Sequence, residues 1–158
     1  MNKWFYFNLF VLFLAIRNVV NSIFTVGIQI HILAGFIGVF LILFNWTRHA
    51  VFSTIRSHPD RATKIKFANL SKKVMPYHRW IGTIALFIIL LHATLVLNRF
   101  GFYWQSMKLT SGLVTGLLLA SMVTTGWMRL LKPSGKKRMA HLYLGLLLFS
   151  MIVVHLIL

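Results

Sequence analysis

The stretch HRWIGTIALFIILLH, residues 78–92, is an apolar run of membrane character with a histidine at each end. A second stretch, HLYLGLLLFSMIVVH at residues 141–155, repeats this pattern. In both, a glycine follows the first histidine by four positions and another histidine follows it by fourteen. Polar side chains inside a lipid-spanning helix are costly, and by default they indicate a functional site. This repeated pattern, here called the histidine frame, therefore predicts a site shared by two helices.

The composition predicts a membrane protein. The chain has 158 residues, of which 58% are hydrophobic, and a mean hydropathy of +0.79, far outside the range of soluble domains. Its apolar runs are continuous and approach or exceed the roughly 20 residues that a spanning helix needs, whereas barrel strands would alternate. We predict an all-α integral membrane protein, one transmembrane domain over residues 1–158. About five spanning helices are expected, at residues 4–20, 23–46, 77–97, 111–131 and 139–158.

The first of these runs is short and follows Lys3, as the apolar core of a signal peptide would. No small-x-small cleavage site follows it, so an uncleaved span is expected.

The charge balance excludes several kinds of chemistry. Seventeen Lys and Arg stand against one acid, Asp60, and there is no cysteine. Carboxylate pairs, proton relays built on Asp or Glu, disulfides, iron–sulfur clusters and thiol chemistry are thus ruled out. Most basic residues lie between predicted helices two and three and between four and five, the pattern of cytoplasmic loops. We expect a multi-pass protein of the plasma or inner membrane, with a cytoplasmic amino terminus, an extracytoplasmic carboxyl terminus, lipid contacts and no nucleic-acid partner.

The histidine frame predicts two haem sites. Fourteen residues make about 3.9 helical turns, so the two histidines of a frame share a face about 21 Å apart. Helices three and five should run in the same direction, which places His78 beside His141 near the cytoplasm and His92 beside His155 near the outside. A haem iron takes two axial imidazoles, so two b-type haems are expected between these helices. Structural histidines, or a bare Zn or Cu site, are the alternatives, although a bare ion needs ligands that converge on one point.

Other residues are expected around these haems. Gly82 and Gly145 lie one turn after the inner histidines and would leave room for a flat macrocycle. Arg79 and Arg138 at the inner rim, and Arg99 outside, are expected to pair with haem propionates.

His31 lies in HILAG, the start of a third frame, but the residue fourteen positions later is Asn45. It therefore has no second ligand. Two roles are open for it, a place near an outer acceptor site or a packing and hydrogen-bonding role. His49 and His58 are expected to be solvated loop residues.

At YHRWIGTIALFIILLH, residues 77–92, the sequence resembles the transmembrane domain of ferric reductases and NADPH oxidases. The resemblance covers roughly residues 23–158 and implies that His78 and His141 hold the inner haem and His92 and His155 the outer one. Members of that family commonly continue into a sixth helix and into flavin- and nicotinamide-binding domains. This sequence has no Gly-rich dinucleotide fingerprint, so another subunit, a soluble flavoprotein or a membrane quinol is expected to supply electrons.

The expected function is transmembrane electron transfer, as an oxidoreductase component, from a cytoplasmic flavoprotein to ferric iron, oxygen, a flavin or a partner reductase outside. The basic stretches 49–73 and 132–138 could dock an acidic flavoprotein, or could reflect only topology and lipid contact. Residues 57–73 could also form a short amphipathic helix on the membrane surface. Paired histidines also occur in quinol-oxidising cytochromes b, so a quinol-linked subunit is the first alternative. The second is a haem-free membrane scaffold, and other membrane subunits are possible partners in each case.

Overall fold

The part of the chain that the structure describes is almost entirely helical. A computed structural model describes residues 3–57 and 59–158, and His58 lies outside this range. Five α-helices occupy the described residues, each long and apolar enough to cross a membrane. They are α1 (Lys3–Val26), α2 (Ile30–Ser57), α3 (Arg61–Phe100), α4 (Met107–Leu131) and α5 (Gly135–Ile157). The prediction of an all-α multi-pass membrane protein is confirmed.

The first two helices differ from their predicted bounds because of one glycine. Gly27 has a φ of +82°, a conformation that residues with a side chain rarely adopt. It separates α1 from α2, and the Gln29 side-chain amide donates to the carbonyl of Val26 at 3.0 Å. As a result α1 is longer than predicted, and α2 begins seven residues later than the predicted residue 23. At its other end α2 continues beyond the apolar run to Ser57.

The third helix contains both the predicted span and the polar segment before it. The Asp60 carboxylate caps its amino terminus, accepting from the backbone N–H groups of Ala62 at 3.1 Å and Thr63 at 2.8 Å. Of the surface helix considered for residues 57–73, residues 61–73 are instead the beginning of α3, which continues through Pro76. At 1.5 Å per residue its 40 residues measure about 60 Å, roughly twice the hydrocarbon thickness of a bilayer. Part of α3 therefore lies beyond the membrane.

The last two helices begin four residues before their predicted starts, and each has a serine as its N-cap. Ser106 Oγ accepts from the backbone N–H of Leu109, and Ser134 Oγ accepts from that of Lys137, both at 3.3 Å. These caps lie outside the apolar runs that defined the predicted bounds.

The five helices pack in a closed ring. Each contacts its neighbours in chain order, and α1 closes the ring against α5. Asn8 on α1 donates to the carbonyl of Leu43 on α2 at 3.1 Å, and Asn18 donates to that of Leu156 on α5 at 2.8 Å. Among the described residues α3 and α5 make no comparable backbone contact. The two helices that carry the histidine frames, α3 and α5, thus stand on either side of α4.

The outer surface of the ring is apolar. Large hydrophobic side chains are exposed along all five helices, among them Phe24 at 84% and Leu131 at 79%. A soluble monomer rarely exposes so much contiguous apolar surface, whereas lipid accepts it. The end of the ring with the α2–α3 and α4–α5 connections is here called the basic end, because Lys and Arg concentrate there. The other end is called the distal end.

Candidate functional site

Two histidine pairs lie between α3 and α5. His78 and His141 form the basic-end pair, with ring centres 6.3 Å apart and ring planes at 74°. His92 and His155 form the distal pair, close enough to interact electrostatically. The structure therefore brings His78 beside His141, as predicted, and places His92 near His155.

The spacing of the basic-end pair suits two axial ligands of one metal. A metal–imidazole bond is about 2.0 Å long and the ring centre lies about 1 Å beyond the bonding nitrogen, so imidazoles on opposite sides of one ion have centres roughly 6 Å apart. The observed distance between the rings of His78 and His141 is 6.3 Å. The distance between the ring centres is therefore the one expected for two imidazoles bound to one metal ion.

Hydrogen bonds set the tautomer of two of these histidines. Nδ1 of His92 lies 2.6 Å from the carbonyl oxygen of His31, and Nδ1 of His141 lies 3.1 Å from that of Met122. A carbonyl oxygen only accepts, so Nδ1 must carry the proton in both rings. The lone pair of each neutral imidazole is then on Nε2, the form in which a histidine binds a metal.

His155 contacts a hydroxyl group through Nδ1. Ser111 Oγ lies 2.9 Å from the carbonyl of Lys108 and 3.0 Å from Nδ1 of His155. With the hydroxyl proton on the Lys108 carbonyl, His155 donates from Nδ1 and keeps its lone pair on Nε2. Metal-binding histidines characteristically donate their second ring nitrogen to an oxygen in this way.

His78 differs from the other three. Its Nδ1 is buried and has no hydrogen-bond partner among the described residues. Its backbone carbonyl accepts from the side-chain amide of Asn45 at 3.0 Å, which fixes the main chain and leaves the ring unbonded. Hydrogen bonding of the ring therefore does not explain the presence of this imidazole, whose ring centre lies 6.3 Å from that of His141.

The two glycines of the histidine frames lie against side chains of α2. A Cβ built on Gly82 would come within 3.4 Å of Asn45 Nδ2, and one on Gly145 within 3.1 Å of Trp46 Cζ3. Each glycine thus admits a side chain from α2. The room for a macrocycle expected beside them stays a prediction.

Three glycines that the sequence analysis did not single out lie against the imidazoles. A Cβ on Gly35 of α2 would come within 2.9 Å of His92 Nδ1. On α4, a Cβ on Gly112 would come within 3.0 Å of His155 Cε1, and one on Gly126 within 3.5 Å of His141 Cε1. What could have indicated these glycines from the sequence is their position on α2 and α4, which pack against α3 and α5.

The three arginines predicted to contact propionates are engaged in different ways. The Arg79 guanidinium lies over the ring of Trp127 at 5.9 Å, and Arg99 donates to the side-chain carbonyl of Gln29. Arg138 lines a cavity of about 450 Å³ near the α4–α5 connection. Their pairing with propionates stays a prediction.

Two other arginines, Arg48 and Arg129, lie near the basic-end pair and near each other. Arg48 Nε is buried without a hydrogen-bond partner among the described residues, and its guanidinium lies 5.2 Å from the centre of the Phe52 ring. The one acid of the chain, Asp60, caps α3 and cannot neutralise both. Like charges held together in low dielectric repel, so this place favours an anionic ligand. Sequence reasoning missed Arg48 because it lies beyond the predicted end of helix two.

His31 lies beside the distal pair. Its carbonyl oxygen accepts from His92, and its ring meets that of Phe100 edge-on at 5.6 Å. It also lines a cavity of about 450 Å³ at the distal end, together with Gln29, Asn98 and Arg99. Both predicted roles therefore stay open for the side chain, while the backbone has a defined hydrogen bond.

The prediction for His49 was wrong. It lies within α2, with its ring 4.8 Å from that of Trp4 and stacked on Trp46 at 5.1 Å. It became helical because α2 continues eleven residues past its predicted end at residue 46.

Within residues 3–57 and 59–158, no three His, Cys, Asp or Glu side chains converge where they could hold a metal ion. The candidate sites supply two imidazoles each, which suits a metal that brings its other donors with it. The chain matches no protein-family model, no curated protein and no solved structure. The resemblance to ferric reductases and NADPH oxidases stays a prediction.

Proposed function

We propose that the protein is a two-haem cytochrome b that transfers electrons across a membrane. His78 and His141 would hold one b-type haem, and His92 and His155 the other. The observation that carries this proposal is the 6.3 Å spacing of the basic-end rings, with His141 presenting its Nε2 lone pair. A bound haem supplies reversible one-electron chemistry and four ligands of its own, so the protein adds only the axial pair.

The residues around the histidines orient the ligands. The oxygen of His31 fixes the ring of His92, and those of Met122 and Ser111 fix the rings of His141 and His155. Such partners lock the orientation of a ligating imidazole and raise its basicity. The two pairs are fourteen residues apart on each helix, about 21 Å of a hydrocarbon core about 30 Å thick. Two sites at this separation span most of the thickness of the hydrocarbon core.

Charge supports a haem at the basic end in particular. Arg48 and Arg129 lie near the pair and near each other without enough acid in the chain to neutralise them. The two propionates of a haem carry opposite charge, and guanidinium groups bind carboxylates strongly. We assign these two arginines to the propionates of the inner haem, with Arg79 and Arg138 nearby on the same rim.

Topology and potential give the transfer a direction. The positive-inside rule places the basic end in the cytoplasm, where a flavoprotein or another subunit would act as the donor. An acceptor outside, namely ferric iron, oxygen, a flavin or a partner reductase, would approach the distal end, where His31 lines a cavity. An inside-negative potential favours outward electron movement by about 2.3 kcal/mol per 100 mV for a full crossing.

Electron transfer across sealed vesicles tests the function. The purified protein, loaded with haem, is reconstituted in vesicles that contain ferricyanide, and dithionite is added outside. We expect the trapped ferricyanide to be reduced at least tenfold faster than in protein-free vesicles, because the two sites connect the faces of the bilayer. A Thr94→Val variant, altered at an exposed residue of α3, should behave like the wild type. Rates equal to those of empty vesicles for haem-loaded protein would contradict the function.

A further inference from the structure

The fourth helix repeats a hydroxyl–glycine pair at the spacing of the histidine frame. Ser111-Gly112 and Thr125-Gly126 are fourteen residues apart, as His141 and His155 are on α5. Because α4 packs against α5, two equal spacings on antiparallel helices can meet at two depths. They meet in the order Thr125 with His141 and Ser111 with His155.

The contact has the same design at both depths. Thr125 Oγ1 donates to the carbonyl of Met122, three residues earlier, at 2.9 Å and lies 3.1 Å from Nδ1 of His141. Ser111 Oγ donates to the carbonyl of Lys108, also three residues earlier, and lies 3.0 Å from Nδ1 of His155. At His141 the Met122 carbonyl fixes the proton on Nδ1, so Thr125 Oγ1 accepts from the imidazole. Ser111 Oγ takes the same part towards His155 when its own proton is on the Lys108 carbonyl.

The glycines let the rings approach α4. A Cβ at residue 112 would stand 3.0 Å from Cε1 of His155, tighter than almost all real contacts, and one at residue 126 would stand 3.5 Å from Cε1 of His141. Glycine next to the hydroxyl thus allows the edge of the imidazole to lie against the α4 backbone.

These two hydroxyls differ from the others of α4 in what they contact. Serine and threonine inside a helix commonly bond the carbonyl three or four residues earlier. The other hydroxyl side chains of α4 all bond the carbonyl four residues earlier: Thr110, Thr115, Ser121 and Thr124. Ser111 and Thr125 alone among them bond three residues back and reach an imidazole.

We propose that α4 is a positioning helix, whose residues Ser111 and Thr125 hold the rotation of the His155 and His141 imidazoles through Nδ1. At His141 the Met122 carbonyl sets the tautomer, and Thr125 is a second partner of the same Nδ1. This inference rests on the proposed function, since it concerns how each α5 imidazole presents Nε2 to a haem iron. The α3 histidines have no such hydroxyl: His92 bonds a backbone carbonyl, and the His78 ring has no partner. Side chains of this protein therefore orient the two α5 histidines, His141 and His155, and not the two α3 histidines.

Substitutions at the two hydroxyls test the inference through haem affinity and midpoint potential. Ser111→Ala should shift the partition of the outer haem to apomyoglobin by about 10–100-fold, the usual cost of losing such a partner. Thr125→Val should shift the partition of the inner haem in the same direction but by less, because Nδ1 of His141 keeps the Met122 carbonyl at 3.1 Å. Loss of the hydrogen bond lowers the basicity of the ligand and disfavours oxidised iron. If that form is weakened tenfold more than the reduced form, the potential of that haem rises by about 59 mV. Thr124→Val and Ser121→Ala, at exposed residues of α4, are the matched controls, and Thr125→Ser should keep wild-type values.

The outcomes separate this inference from the function itself. A wild-type protein without haem would overturn both. A wild type with two haems, and variants Thr125→Val and Ser111→Ala that behave like Thr124→Val and Ser121→Ala, would overturn the inference alone. If Thr125→Val failed to fold, Ser111→Ala would decide between these outcomes, because it removes only one oxygen atom.

Discussion

Replacing His78 or His141 with alanine is expected to lower the haem content of the purified protein from two per chain toward one. Either variant leaves the inner haem with a single protein ligand, because the two ring centres are 6.3 Å apart and no third histidine among the described residues joins them. His92→Ala and His155→Ala should remove the outer haem instead. Haem is counted against protein by pyridine haemochrome and amino-acid analysis.

Double variants test the pairing of the histidines more strictly than the loss of haem in single variants does. The double variant His78→Ala/His141→Ala should lose no more haem than either single variant, since residues that act as a unit are strongly non-additive. The double variant His78→Ala/His92→Ala should lose both haems. His31→Ala is the matched control: the distal pair uses its backbone carbonyl, so two haems should remain. If all four single variants kept two haems, the ligand assignment would be wrong.

The second large effect is expected from Gly35→Ala. A methyl group at this position would lie 2.9 Å from Nδ1 and 3.0 Å from Cε1 of His92. That ring is held by the carbonyl of His31 at 2.6 Å, so it cannot turn aside without losing the bond. We expect the outer haem to fall below half occupancy while the inner haem remains, as measured by haem content and redox titration.

Gly116→Ala is the control for Gly35→Ala. A Cβ at Gly116 meets nothing within 4 Å, and the substitution makes the same chemical change inside another spanning helix. It should leave both haems in place, because alanine also favours the helix. Equal haem content and equal potentials in the two variants would show that close packing of α2 on His92 has no role in the site.

The apolar runs and the histidine spacing predicted the features that depend on the period of a helix. Five spans follow from run length, and the pairing of His78 with His141 follows from two equal spacings on helices of the same direction. Features that depend on neighbouring helices were missed. Arg48 and His49 were assigned to a loop because the apolar pattern ends before them, although α2 continues to Ser57.

The hydroxyl–glycine pairs of α4 are a feature whose role could not be recognised from the sequence alone. Ser111-Gly112 and Thr125-Gly126 have the spacing of the histidine frame, so the signal was present. Small and hydroxyl residues are common wherever membrane helices pack, and such a repeat carries no meaning until the register of α4 against α5 is known. At Gly82 and Gly145 the sequence suggested room for a macrocycle, and the structure places side chains of α2 against both glycines.

The haem content of the wild-type chain, purified from cells supplied with a haem precursor, tests the central claim most directly. The account predicts two haems per chain, with the sharp reduced-minus-oxidised bands of b-type cytochromes. A folded, monodisperse chain that stays colourless and takes up no haem when haemin is added would contradict it and favour a haem-free scaffold.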